Sequence, residues 1–318
     1  MRTLFVEKKA MELRYERSCL LLYHEGKRIS SVPLVQIDRI VVAPHVTLAA
    51  GVLGLVAEKE VALLVINSRY PERTALLSGT IKGDVKRRLA QYHLCQDLEV
   101  RLYWSFFLIK LKISRQYRLL KYLAKKRPEC RHELQKSMQS LNVMLSEMTS
   151  VSTITSLASL RGKEGAAAAL FFRAYTQVFP VHLKFHGRNR RPPKDPVNVC
   201  LSISYTLCYQ EAVNALKTYG LDSTLGCFHD LSYSRDSLAC DLIEPIRPFL
   251  EAWVYQLFNK KIIRLEDFKC SDICILQAAG KKRFYTAFRS KSSAIRTLLR
   301  AYARYTVKVI AHYGQPFN

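Results

Sequence analysis

The stretch Leu225–Pro248, LGCFHDLSYSRDSLACDLIEPIRP, gathers one histidine and four acidic residues in a chain that is otherwise strongly basic. Within it, Asp241 and Glu244 are spaced i, i+3. If DLIEPIRPFLEAW opens a helix, both carboxylates leave one face of its first turn. Pro245 is tolerated there because first-turn amides have no intrahelical partner. His229 lies twelve residues before Asp241, across SYSRDS, which reads as a turn, so it can fold back beside the two carboxylates. Glu164, in LRGKEGAAAALFF, is a further candidate: Gly162 and Gly165 flank it, and small residues let a helix pack closely, where a lone Glu needs a partner. Glu164, His229 and Glu244, with Asp241 alongside, would make a hard, mostly oxygen site. It suits Mg²⁺ or Mn²⁺ better than zinc, and the imidazole favours Mn²⁺ somewhat. Beside bound nucleic acid, such an ion polarises a scissile phosphate. A plainer account fits the same residues: a histidine that packs or caps near a helix N-terminus, and an aspartate favoured by the helix dipole.

The elements that must position these residues fall into two parts. The chain has 318 residues, an apolar fraction of 49% and a formal charge of +24, so it is long enough for one large or two ordinary folded domains. The first 80 residues are β-rich: TLFVE, MELRY, SCLLLYHEG, RISSVPL, RIVVAP, VALLVIN and RTALLSG are short runs of Val, Ile, Leu and Tyr. Glu25-Gly26-Lys27 marks a hairpin turn, and one helix is expected near Thr47–Glu58. From Ile81 onward the pattern is helical. The first 80 residues carry 11 basic and 8 acidic side chains, and the remainder 39 and 18, so nearly all the positive charge lies on the second part. The expected fold is α+β: a small β-rich N-terminal domain over residues 1–80, then a large all-α domain over 81–318.

Charge of this size concerns partners more than fold, and nucleic acid or an anionic membrane surface is the usual partner. The N-terminal stretch has no signal-peptide core, and the longest apolar run, Val46–Ala57, is too short to span a bilayer. A soluble, cytoplasmic protein is expected. The nine cysteines form no CxxC pair, so they read as small buried residues rather than a zinc site or disulfide framework. In the helical part, Arg115, Arg118, Lys121 and Lys125 share one helix face, as do Arg296, Arg300, Arg304 and Lys308. The second stripe opposes Ile295, Leu298, Leu299, Tyr302 and Val309, and no acidic residue follows Asp272. Each stripe could be a solvated face. Like charges four apart repel, however, and a phosphate backbone would relieve that repulsion. HGRNRRPPKDPVN, His186–Asn198, is an extended basic loop inside the helical part.

GKEGAAAALFF, RNRRPPKDPVNVCLSISYTLCYQEAV and GCFHDLSYSRDSLACDLIEPIRP together resemble the three motif blocks of the CRISPR-associated adaptation integrases. The resemblance runs over nearly the whole chain, with KRRLAQY at Lys86–Tyr92 opening the helical part as in that family. It implies that Glu164, His229 and Glu244 are the metal ligands and Asp241 an acidic neighbour. It places Arg190, Pro193, Asp195, Pro196, Asn198, Ser202 and Tyr205 in the middle block, shaping the site, with Tyr205 near the reacting phosphate. An Asp-Pro turn leading into a helix is the structural alternative for that block. The chain departs from the family pattern at Ser234-Arg235, where many members have Gly-Arg, and at Cys240, which stands in an aliphatic position.

The resemblance implies a metal-dependent endonuclease and integrase. In the implied reaction the 3′-hydroxyl of a short DNA duplex attacks a phosphodiester at a CRISPR repeat, a transesterification. It further implies a homodimer formed through the β domain and a small ferredoxin-like partner protein that spaces two dimers. Arg115, Arg118, Arg190, Arg296, Arg300 and Arg304 are the expected DNA contacts. Two other functions use the same features: a structure-specific metal-dependent nuclease on branched DNA, with water as nucleophile, and a non-catalytic DNA-binding protein.

Overall fold

The computed structural model describes residues 3–59, 61–67, 70, 73–77, 85–189, 192–233 and 235–313. The chain divides into two compact units, Met1–Lys82 with Tyr285–Ser293, and Gly83–Phe284 with Ala294–Asn318.

The first unit holds two four-stranded sheets. In one, β1 (Thr3–Val6), β5 (Arg39–Val42) and β7 (Ala62–Val65) run parallel, and β8 (Ala75–Leu77) is added antiparallel. The other has the order β4 (Lys27–Pro33), β3 (Cys19–His24), β2 (Met11–Glu16) and β6 (Thr47–Leu48). Alternation in β2 buries Met11 and Leu13, and these join Leu20, Ile40 and Leu63 in one core closed by Val52 and Val56 of α1 (Ala50–Glu58). Glu25 and Gly26 have φ of 51° and 74° between β3 and β4, the two positive values that a tight hairpin requires. The helix expected from Thr47 starts only at Ala50. Thr47 and Leu48 instead pair with Glu12 and Leu13, because a sheet edge there outcompetes the helical pattern.

The second unit is helical. Its elements are α2 (Val85–Gln96), α3 (Leu98–Lys126), α4 (Arg131–Glu147), α5 (Leu157–Thr176), α6 (Pro196–Thr218), α7 (Ser237–Ile243), α8 (Arg247–Asn259) and most of α9 (Ala278–Tyr313). A short hairpin of β9 (Phe268–Cys270) and β10 (Cys274–Leu276) also belongs to it. Cys270 and Cys274 are joined by a disulfide across that hairpin, contrary to the expectation that all nine cysteines stay free. The antiparallel pairing of these two residues brings them together, which spacing alone did not reveal. No helix among the described residues is long and apolar enough to cross a membrane.

The DLIEPIRP segment is not the start of one helix. α7 ends at Ile243, Glu244–Ile246 form a 3₁₀ turn, and α8 begins at Arg247. Each proline explains a break: Pro245 and Pro248 sit in the first turns of the 3₁₀ segment and of α8, where the missing N–H costs nothing. Asp241 is therefore at the end of α7, and it does not share a first helical turn with Glu244.

Candidate active site

Four helices, the loop that carries Arg188, the loop before α7 and the 3₁₀ turn after it line a cavity of about 190 Å³ in the helical unit. α3 contributes Lys112 and Gln116, α5 contributes Glu164, and α6 contributes Tyr205. The loop before α7 supplies His229, and the turn and α8 supply Glu244, Arg247 and Glu251. Glu164 is distant in the chain from His229 and Glu244, but all three line this one cavity.

Asp241 has a different place. It is fully buried, and its Oδ2 accepts the backbone N–H groups of Cys227 (2.7 Å) and Phe228 (3.0 Å). Its Oδ1 accepts the backbone N–H of His229 (3.0 Å) and faces His229 Nδ1 at 2.6 Å. Both Asp241 oxygens already accept backbone N–H groups, so we assign Nδ1 as the donor to Oδ1, the tautomer that leaves the Nε2 lone pair available. A carboxylate behind an imidazole is the arrangement that orients metal-binding histidines. The loop is pinned from outside as well. Arg161 donates to the Phe228 carbonyl at 2.7 Å, Arg101 donates to the Cys227 carbonyl at 3.1 Å, and both reach Asp230. Gly226 is required at its position, because a Cβ there would lie 2.7 Å from the Ser237 backbone and 2.8 Å from Asp241 Oδ2.

Between the two glutamates lies the ammonium of Lys112. Its Nζ donates to Glu164 Oε1 and to Glu244 Oε2, the latter at 2.6 Å. Arg247 Nε donates to the other Glu244 oxygen at 2.9 Å. Burial opposes the charge on Glu244, but Arg247 and then Lys112 outweigh it and hold the carboxyl down to about 2. For Lys112, burial acts to lower the pKa, and the Glu244 and Glu164 charges reverse that, so the amine stays an ammonium. Among the described residues, no three His, Cys, Asp or Glu side chains stand ready-arranged around a cation position. The donor set itself, two carboxylates and an imidazole lone pair backed by Asp241, fits a hard divalent ion. The place between the glutamates holds the lysine instead.

Tyr205 is buried, and its hydroxyl donates to Glu251 Oε1 at 2.7 Å. The guanidinium of Arg247 lies 4.7 Å from the centre of its ring, and that of Arg188 lies 5.3 Å away. Burial, followed by the Glu251 charge, pushes the phenol well above its ordinary pKa, so it stays protonated. Burial likewise pushes Glu251 up to about 7, against the Tyr205 hydrogen bond and the Lys112 and Arg247 charges. The rest of the middle block supports Arg188. Asp195 caps α6 by accepting the Asn198 N–H at 2.8 Å, with Pro196 in the first turn. Asn198 Oδ1 and Ser202 Oγ then hold the Arg188 guanidinium at 2.7 and 3.1 Å. Pro193 accepts from the Cys274 N–H at 3.0 Å through its carbonyl.

The basic candidates separate into two groups. Arg118, Arg300 and Arg304 are exposed. Arg115 donates to the Pro245 carbonyl at 2.6 Å, and Arg296 is mostly buried, 3.7 Å from Glu211. Arg190 lies outside the described residues. Sequence reasoning missed Lys112, Gln116 and Glu251. Their signal was a polar residue on an otherwise apolar helix face. On α3, Lys112 and Gln116 interrupt the buried row Ile109, Ile113, Leu119, Leu120 and Leu123, and on α8 Glu251 sits between Leu250 and Trp253.

Comparison with known proteins places this geometry in context. The family model described as "CRISPR associated protein Cas1" matches residues 4–290. A protein named CRISPR-associated endonuclease Cas1 1, from Thermodesulfovibrio yellowstonii, is 33% identical over 303 residues, covering 94% of each chain. Among solved structures, a casposase bound to its integration product superposes with a TM-score of 0.80 at 20% identity, covering 97% of this chain and 91% of that one. A Cas6-RT-Cas1–Cas2 complex superposes with a TM-score of 0.82 at 21% identity; the match covers 98% of this chain and 35% of the other. At these identities the two structures show a shared fold.

Proposed function

Since the chain belongs to the Cas1 family of CRISPR-associated endonucleases and integrases, we propose that its cavity carries out metal-dependent DNA strand transfer, inserting short duplexes into a CRISPR array. The observation that carries this reading is the convergence of Glu164, His229 and Glu244 on one cavity, with Asp241 fixing the imidazole from behind. Glu164, Glu244 and His229 Nε2 would hold Mg²⁺ or Mn²⁺, which when bound supplies stabilisation of charge on the phosphate oxygens.

The chain's own residues perform the remaining work. Arg247 and Arg188 bring positive charge to the cavity, where the five-coordinate phosphate develops negative charge. Tyr205, protonated and tied to Glu251, supports the arginines and does not act as nucleophile. The 3′-hydroxyl of the incoming duplex forms the new P–O bond and gives up its proton. The bond to the repeat's own 3′-oxygen breaks, and that oxygen takes up a proton. One phosphodiester is exchanged for another, so no external energy source is needed. The positioning of the reactants lowers the barrier.

The β-rich unit is proposed as the dimerisation domain, with a boundary near residue 80. The proposed macromolecular partners are double-stranded DNA, a second copy of this chain and a small ferredoxin-like adaptation protein. The Cas2 named in the related complex and the integration product named in the casposase structure support these assignments. The endonuclease name of the relative favours one second reading, DNA cleavage with water in place of the 3′-hydroxyl, for which branched DNA is the proposed substrate.

A strand-transfer assay separates these readings. It combines a labelled duplex bearing a free 3′-hydroxyl, a supercoiled plasmid with a repeat array, the partner protein, and Mn²⁺ or Mg²⁺. Label joins the plasmid with the native chain and not with Glu164→Ala, His229→Ala or Glu244→Ala, while all four bind DNA. Cutting without joining favours the nuclease, and binding with neither overturns the catalytic reading.

A further inference from the structure

We propose that Lys112 is a tethered cation that occupies the metal position between Glu164 and Glu244. On metal binding it gives way by moving its ammonium onto a buried acceptor, Glu251 Oε2. This inference rests on the metal reading above.

Three observations lead to it. First, Lys112 Nζ donates to one oxygen of each glutamate, and its side chain is only 6% exposed. Two carboxylates that converge in a buried cavity repel each other unless a cation lies between them. The ammonium supplies that cation, and it cannot share the position with a divalent ion.

Second, the ammonium has somewhere to go. Glu251 Oε2 and Gln116 Oε1 are both buried and have no hydrogen-bond partner, and both residues line the same cavity as Lys112. Buried acceptors are rarely left unpaired, and two in one cavity mark a place for a donor. Gln116 stands one turn along α3 from Lys112, on the same buried face. A lysine carries three donors on a flexible stem and can exchange one carboxylate neighbour for another.

Third, the anchors on either side stay in place during the exchange. Arg247 keeps the other Glu244 oxygen at 2.9 Å, and Tyr205 keeps the other Glu251 oxygen at 2.7 Å. Only the oxygens that face Lys112 change partner. Metal binding is thus an exchange of cations, and its apparent affinity is reduced by the fraction of chains in which the ammonium has already left.

The test is Mn²⁺ binding to the full chain by titration calorimetry, comparing the native protein, Lys112→Met, Glu251→Gln and the double variant. If the ammonium-out arrangement is about one-tenth populated, Lys112→Met tightens Mn²⁺ binding about tenfold. At pH 8, where Glu251 is ionised, Glu251→Gln weakens binding in the native background, because the displaced ammonium loses its anionic acceptor. It has no effect in the Lys112→Met background. Equal or weaker binding by Lys112→Met overturns the proposal, and so does a Glu251→Gln effect of the same size in both backgrounds. If the native chain binds no Mn²⁺ at all, the metal reading falls and this inference with it. Should Lys112→Met not fold, a crystal structure of the native chain with Mn²⁺ decides. Lys112 Nζ within hydrogen-bond distance of Glu251 supports the exchange, and Nζ still between the two glutamates overturns it.

Discussion

Asp241 Oδ1 lies 2.6 Å from His229 Nδ1 while the same carboxylate accepts three successive backbone N–H groups from Cys227 to His229. One buried side chain therefore fixes both the loop that carries the histidine and the histidine's tautomer. Asp241→Asn keeps the shape but places an NH₂ group where only acceptors fit. At least one backbone N–H, or the imidazole, then loses its partner. The expected cost is about 3 kcal/mol of folding stability, since each unpaired buried group costs on the order of 1–3 kcal/mol. Urea unfolding measures this. Mn²⁺ affinity is expected to fall about 10- to 100-fold, as when other histidine-orienting carboxylates are lost. Unchanged affinity would mean that Asp241 serves only the loop.

The arginines of the two basic stripes are expected to act differently when replaced. Arg300 and Arg304 are exposed, so Arg300→Ala and Arg304→Ala leave thermal stability unchanged. If each meets a phosphate, each substitution lowers the slope of log affinity against log salt by about 0.9. Arg115 instead holds the Pro245 carbonyl beside Glu244. Arg115→Ala is expected to cost about 1 kcal/mol of stability and to disturb the turn that presents Glu244. Filter binding across a salt series, together with melting curves, separates the two classes.

Much of this architecture could be read from residue pattern. The β-to-helical switch near residue 80 followed from a change of period and of charge, and the structure shows strands up to Leu77 and helix from Val85. Glu164 stood out beside glycines and alanines, and His229 and Glu244 as members of an acidic cluster in an otherwise basic chain. What was not legible depended on three-dimensional packing. The prolines of EPIRP divided one expected helix into α7, a 3₁₀ turn and α8, and so directed Asp241 to the loop and Glu244 to the cavity. Lys112 lies 52 residues from Glu164 and 132 from Glu244, and no local spacing links them. Its only trace was a charged residue on a buried helix face. Arg115 and Arg296 shared periodicity with solvated neighbours, and only packing showed that each already has a partner.

Tyr205 is committed to Glu251 by a 2.7 Å hydrogen bond and stays protonated. It is expected to organise the site without forming a covalent bond to DNA. Tyr205→Phe should therefore keep measurable strand transfer, reduced about tenfold by the loss of one hydrogen bond, with DNA binding intact. A denaturing gel of quenched reactions should show no DNA attached to protein in either chain. Complete loss of joining in Tyr205→Phe, or a covalent adduct in the native chain, would reverse this assignment.

Glu251 gives the fold a distinctive pH dependence. Burial, as the largest effect, raises its carboxyl from an ordinary 4.5 to about 7 in the folded chain. Between those values the folded state holds a proton that the unfolded state has released, so rising pH favours unfolding across that window. Stability should fall as pH rises from about 4.5 to 7 and then level off, by roughly 3 kcal/mol for this group. Glu244 works in the opposite sense. Its folded value is held down to about 2, so its stabilisation is present above 4.5 and lost only as pH falls toward 2. The two effects therefore occupy different windows. Subtracting the urea-derived stability of Glu251→Gln from that of the native chain, from pH 4.5 to 8, isolates the Glu251 contribution. A downward slope that ends near pH 7 is expected. A flat difference would show that the Lys112 and Arg247 charges keep Glu251 ionised throughout, in spite of its burial.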